Sequence, residues 1–135
     1  VLFEKMEVGL DYTLQRAYFE GGKFDGKRIP LVPGNKLSAR IDLNDLHGFS
    51  SSVVMNYLGP RHAANDQANT APELKEYVTV DAHVSYAWES LKIYFSAKNL
   101  FGERYYSSGT RDFLGAIAYY PAPERNFEFG VTVGF

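Results

Sequence analysis

Read in steps of two, the chain separates again and again into an apolar and a polar side. In the last segment Phe127, Phe129, Val131, Val133 and Phe135 alternate with Glu128, Gly130, Thr132 and Gly134. Before it, Leu91, Ile93, Phe95 and Ala97 oppose Lys92, Tyr94, Ser96 and Lys98. Val78, Val80, Ala82, Val84, Tyr86 and Trp88 likewise oppose Tyr77, Thr79, Asp81, His83, Ser85 and Ala87. Phe49, Val53, Met55 and Tyr57 share a side that Ser51 interrupts, the least regular of the series. Leu37, Ala39, Ile41 and Leu43 face away from Ser38, Arg40, Asp42 and Asn44, and Met6, Val8, Leu10, Tyr12 and Leu14 from Glu7, Gly9, Asp11, Thr13 and Gln15. Successive side chains of a strand point to opposite faces, and helical spacing fails almost everywhere, so the pattern predicts six two-faced strands.

Two of the connections, Asn44 to Gly48 and Trp88 to Ser90, have the length of hairpin turns. The other three, Gly21 to Asn35, Leu58 to Glu76 and Gly102 to Asn126, are long. Antiparallel neighbours reverse direction, so all the long loops leave one end of the sheet and the short turns the other. The predicted fold is therefore all-β, an antiparallel up-and-down meander of six strands, the pattern of an outer-membrane barrel wall. Alternation alone leaves open whether the apolar side looks into a soluble core or out at lipid. Three features favour lipid. The apolar side carries no charge. Aromatics gather at both strand ends, Phe49, Tyr86, Trp88 and Phe135 by the short turns and Tyr57, Tyr77 and Phe127 by the long loops, as interfacial girdles do. The strands also match the ~9–11 residues of a tilted transmembrane strand better than the ~5–6 typical of soluble sheets.

Composition narrows the function classes. The 135 residues, 45% hydrophobic and 16% aromatic, make one domain or a piece of one. Lys+Arg 14 against Asp+Glu 16 leaves a net charge of −2, which offers no basic footprint for nucleic acid. With no cysteine there is no thiolate metal site or Cys nucleophile. No run approaches the roughly 20 apolar residues of a spanning helix. The start at Val1, without a charged segment followed by an apolar one, suggests a fragment or a processed chain. His47, His62 and His83 are isolated in sequence and no nucleophile or phosphate-binding motif is present, so no catalytic residue, metal site or cofactor is expected. Asp81 and His83, two apart on the polar side, read as a solvated pair.

The stretch from Tyr77 to Phe135 resembles the C-terminal end of TonB-dependent outer-membrane receptors. It carries an Asn-Leu-Phe followed closely by tyrosine (Asn99, Leu100, Phe101, then Tyr105 and Tyr106), a proline- and arginine-marked approach to the last strand (Pro121, Pro123, Arg125) and a terminal aromatic, Phe135. Upstream, GGKFDGKRIPLVPGNKLSARI resembles the family's Gly-Lys-x-Ile-Pro-x-x-Pro loop and the strand after it. The resemblance implies a 22-stranded barrel around an N-terminal plug, taking up ferric siderophores, cobalamin or similar scarce solutes with energy from TonB. Six strands cannot close so wide a lumen, so residues 1–135 are expected to be the C-terminal barrel segment of such a receptor, with plug and TonB-contacting region lying outside the chain.

The implied location is the bacterial outer membrane. The implied partners are outer-membrane lipid, the remainder of the barrel and its plug, TonB, the outer-membrane assembly machinery and an iron-chelate ligand. Phe127, Phe129, Val131, Val133 and Phe135 resemble the signal that this machinery reads. A ferric siderophore is commonly anionic and often aromatic, which calls for arginine and tyrosine. The loops offer Arg61, His62, Arg104, Tyr105, Tyr106, Arg111, Tyr119 and Tyr120, of which Arg61, His62 and Arg111 are weighted highest. The contrasting readings are a soluble β-barrel or β-sandwich ligand-binding module, with the Phe/Val side internal, and an outer-membrane barrel without a transport role.

Overall fold

The computed structural model describes residues 5–134; Phe135 lies outside the described residues. The chain forms strands β1 (Met6–Leu14), β2 (Asn35–Leu46), β3 (Phe49–Leu58), β4 (Tyr77–Trp88), β5 (Leu91–Lys98), β6 (Tyr106–Arg111), β7 (Ile117–Pro121) and β8 (Asn126–Val133). The six predicted strands are β1 to β5 and β8, and they form one antiparallel sheet in the order β1-β2-β3-β4-β5-β8. The third long connection holds an addition, the separate β6–β7 hairpin. Its β6 sequence, YSSGTR, has no apolar side, so alternation could not reveal it.

Register keeps the two sides pure. Val8, Ile41, Val53, Ala82, Ala97 and Phe127 pair in one unbroken row across all six strands, and Glu7, Asp42, Ser52, His83, Ser96 and Glu128 in the row beside it. A slip of one residue in any strand would exchange these rows. The apolar row and its neighbours are uncovered: Leu10 is 71% exposed and Phe129 69%. The buried apolar side chains among the described residues are Ala63, Leu74 and Ala97, and two of these three belong to a loop. A soluble module would hold the Val and Phe side chains in its interior, and the sheet has no such interior. Left in water, each such large side chain would forgo about 1.5–3 kcal/mol of burial.

The polar side is paired within itself. The Arg40 guanidinium lies over Gly9 and reaches Glu7 at 2.9 Å and Asp42 at 2.7 Å. Ser38 donates to Asn56 (3.1 Å), and His83 Nδ1 and Ser96 Oγ stand 2.8 Å apart. Tyr94 donates to Glu128 at 2.8 Å and lays its ring against its cross-strand partner Gly130, where no Cβ has room.

The short turns follow their sequences. His47 (φ 53°) and Gly48 (φ 84°) form a two-residue turn between the paired Leu46 and Phe49. The register shift between Leu43 and Leu46 absorbs Asn44 and Asp45, and the Asp45 carboxylate accepts the Gly48 N–H (3.2 Å). Gly48 is also pressed against the Ala87 carbonyl, so both conformation and space demand glycine there.

The Tyr94–Gly130 contact yields a test. Gly130→Ala should cost about 1–3 kcal/mol of barrel stability through overpacking, read as a lower temperature of heat-modified gel migration. Combined with Tyr94→Ser, most of that loss should vanish; simple addition of the two effects would show that the ring does not pack on Gly130.

Candidate functional site

Where the sheet ends on the long-loop side, Asn99 turns the chain out of its ladder. It adopts φ 51°, its N–H donates to the Asp81 carboxylate (2.8 Å), and its side chain bonds Glu103 through both N–H and C=O at 2.9 Å. That local closure is the physical content of the Asn-Leu-Phe motif. Residues 103–106 are thereby delivered beside the end of β4.

The loops beyond are tied into one collar. Arg61 and Leu74 exchange backbone hydrogen bonds, and the Arg61 guanidinium donates to the carbonyls of Tyr106 (3.1 Å) and Ser107 (2.7 Å) on the β6–β7 hairpin. Ala64 lies against Thr110 as a parallel bridge. A Cβ on Gly109 would come within 3.1 Å of the Leu74 side chain that covers it. Asn69 bonds the Arg28 backbone at both N–H and C=O, and Leu31 N–H donates to the His62 carbonyl, which brings in the first long loop.

Asp66 is the centre of this collar. Its carboxylate is inaccessible to solvent and accepts from the N–H groups of Thr70 (3.1 Å) and Ala71 (3.2 Å) and from Arg111 Nη1 (3.0 Å). His62 sits between two carboxylates, 3.4 Å from Asp66 and 3.3 Å from Glu73, as a Coulombic neighbour of the first. Burial by itself would push the Asp66 carboxyl up; the two backbone donors, then Arg111 and His62, outweigh it and hold the group below the ordinary carboxylate value.

Beside the collar lies a cleft. Glu103, Arg104, Tyr105, Tyr106, Pro121 and Glu124 border a cavity of about 460 Å³, and a neighbouring one of about 250 Å³ shares Arg104, Tyr105 and Tyr106 and reaches Leu74 and Tyr119. Tyr106 and Tyr119 stack at 4.6 Å, and Tyr77 and Tyr105 at 3.8 Å with Arg61 over the Tyr77 ring. Desolvation first, then Tyr77 and Asp81, raise the Tyr105 hydroxyl above its usual value, so it stays a neutral donor. Arg104 is largely free, 3.7 Å from an exposed Glu124. Ring faces, hydroxyls and a guanidinium can hold an anionic or aromatic molecule by stacking and charge-assisted hydrogen bonds. Among the described residues no group of three or more His, Asp or Glu side chains is placed to hold a metal ion.

The eight expected ligand residues thus divide. Arg104, Tyr105, Tyr106 and Tyr119 come together at the cleft, while Tyr120, half-exposed, lines neither cavity. Arg61 (3% exposed) and His62 (8%) are buried in the collar, and Arg111 is bound to Asp66. Tyr77 is a residue the sequence reading places in the interfacial girdle; it lines neither cavity but backs the cleft by stacking on Tyr105, and its step-of-two partners Thr79 and Asp81 already carried that signal. At the far tip of β6–β7, Asp112 accepts from Leu114 and Ala116 N–H at 2.9 Å, and Phe113 projects into solvent at 95% exposure.

A family model described as TonB-dependent receptor-like β-barrel matches residues 5–100. It stops before the final segment, but structural likeness runs through it. The ferric yersiniabactin uptake receptor of Yersinia pestis superposes with a TM-score of 0.81 at 20% identity, over 97% of this chain and 21% of that one. For the ferric-catecholate import receptor of E. coli K12 the values are 0.78 and 24%, over 97% and 19%. For a ferric citrate transporter they are 0.79 and 18%, over 95% and 21%. No curated protein matches the chain by sequence. The chain spans about a fifth of the length of these structures. Its six-stranded sheet is a segment of the wall of a transmembrane barrel of the 22-stranded type.

The collar makes a pH prediction. Because the Asp66 carboxyl is lower in the folded state than in the unfolded one, its contribution is complete above the ordinary carboxylate value of ~3.9 and is lost as pH falls from there through the folded value. Hydrogen exchange of residues 61–74 should accelerate in that acid window. Asp66→Ala should loosen the same segment at neutral pH by about 1–3 kcal/mol, leaving the partly buried Arg111 without its carboxylate partner, and should remove the acid response; an unchanged response would show that another group governs it.

Proposed function

The chain belongs to the TonB-dependent receptor family through its β-barrel, and on that footing we propose that it forms the C-terminal part of the barrel wall and outer vestibule of a bacterial outer-membrane receptor. The cargo is an iron chelate of the ferric-siderophore type. Residues 1–135 supply six wall strands, the rest of the barrel and its plug complete the lumen, and TonB acts through a region outside this chain. The observation that carries the reading is the conjunction of an uncovered apolar wall with a tyrosine- and arginine-lined cleft at its long-loop end.

Within the cleft Tyr105, Tyr106 and Tyr119 offer ring faces and hydroxyls, and Arg104 offers the charge that an anionic chelate requires. Tyr120 stands at its margin. Arg61, His62 and Arg111 serve the same site from below, by fixing the loops that carry the cleft. The chain performs no chemistry in this reading; it binds and conducts.

Full-length product should require detergent for extraction and show heat-modifiable migration, and cells lacking it should grow poorly on a chelated iron source. Arg104→Ala with Tyr106→Ala should lower uptake about tenfold or more at unchanged abundance, the loss expected for truncating interface anchors. A product freely soluble without detergent, or growth indifferent to the gene on every iron chelate tried, would overturn the proposal.

The last strand carries a separate expectation. Phe127, Phe129, Val131 and Val133 lie on the exposed side of β8, where an assembly factor adding strand to strand can read alternate side chains. Deleting Phe135 should reduce outer-membrane abundance of the receptor. Equal abundance would limit that residue to an interfacial anchor.

A further inference from the structure

The connection between β1 and β2 contributes no wall to the tyrosine cleft, yet it is the one long connection with net positive charge. Arg16, Lys23, Lys27 and Arg28 stand against Glu20 and Asp25, whereas residues 59–76 are net negative and residues 99–125 balanced. It is a built arm. Tyr18 and Arg28 bridge antiparallel, Phe19 N–H donates to Lys27 and Ile29 N–H to Ala17, at 2.9 and 3.0 Å. Its tip closes through Gly21, Gly22 and Gly26 at positive φ, with Asp25 accepting the Gly21 N–H (2.7 Å) and Phe19 against Phe24.

Where the arm joins the sheet, Gln15, Arg16, Tyr18, Arg28, Gly34 and Asn35 surround a cavity of about 280 Å³. Glu73 holds Arg28 by Nη1 at 2.9 Å, and Nη2 stands over Gly34, where a Cβ would come within 3.3 Å. The Gln15 amide is already committed to the Pro33 carbonyl (3.0 Å). The Arg16 guanidinium enters no ion pair among the described residues. Recognition in the cavity therefore falls to two guanidinium groups, one pre-aimed and one uncommitted. Its volume is just under the ~300–1,000 Å³ of sites that enclose a whole small molecule, so it suits one acid group.

We propose that this cavity is an oxyanion site that takes a single carboxylate group of the incoming anionic chelate, gripping it at a second point apart from the tyrosine cleft. The proposal rests on the receptor reading for its ligand, while its chemistry rests on Arg16 and Arg28 alone. Paired charge-assisted hydrogen bonds from guanidinium to carboxylate are the strong and directional kind.

Citrate, a compact polycarboxylate, is the probe, titrated calorimetrically into detergent-solubilised full-length receptor, with inorganic phosphate as the comparison arm. Citrate should bind, more weakly as salt rises, and Arg16→Gln should weaken it about tenfold or more. Lys98→Gln, a cation outside the cavity, should leave citrate affinity unchanged. Heat-modifiable migration checks that each variant is folded. Equal affinity in wild type and Arg16→Gln, no binding in wild type, or loss with Lys98→Gln but not with Arg16→Gln would each overturn the site. Phosphate binding as tightly as citrate would overturn the carboxylate assignment. Neither iron nor uptake enters the measurement, so failure of the transport reading and failure of this site are separately visible.

Discussion

No water reaches the hydrocarbon centre of a bilayer, so every backbone N–H and C=O there needs a partner from the protein, at several kcal/mol for each one left without. In this chain β2, β3, β4 and β5 meet that demand on both edges, while β1 and β8 each present one edge with no partner among the described residues. The sheet is satisfied only when further strands flank it. The receptor structures with which it superposes over 95–97% of its residues are about five times its length. Purity of the two sides follows from the same requirement, because a ladder fixed by hydrogen bonds also fixes which residues look outward.

Above the sheet the conditions reverse. Water is present, and among the described residues the loops bury few hydrophobic side chains. Ala63 and Leu74 are the ones they do bury. Polar geometry takes over. A buried carboxylate satisfied by two backbone donors and an arginine joins segments that lie 45 residues apart in sequence. Such networks specify one arrangement when complete and fail together when a member is lost. The collar's segments are thereby tied to one another, and the hairpin beside the cleft is held by the same bonds.

How much of this was legible in the sequence depends on how local each feature is. Alternation exposed the six wall strands, since Val, Phe and Leu at every second place are a local signal. Which side met water was less legible, because a soluble sheet and a membrane wall share one period; the match to a receptor β-barrel family decided it. The β6–β7 hairpin was hidden by its polar composition. Arg61, His62 and Arg111 stood out by residue type, but type says nothing of burial, and their engagement depends on Tyr106 and Asp66 far along the chain. Asp66 itself carried no signal, because an aspartate in a loop is ordinarily solvated. Arg16, Tyr18 and Arg28 passed unnoticed for a related reason: only the Tyr18–Arg28 bridge brings them to one cavity.

The Asp112–Ala116 turn holds its shape through Asp112 and projects Phe113 beyond the collar without bonding to the sheet. Inheritance can act on such a spur independently. A change confined to the exposed Phe113 and Leu114 side chains leaves the partners of the Asp66 carboxylate in place, so this tip is free to vary in sequence while the loops beneath it keep their shape.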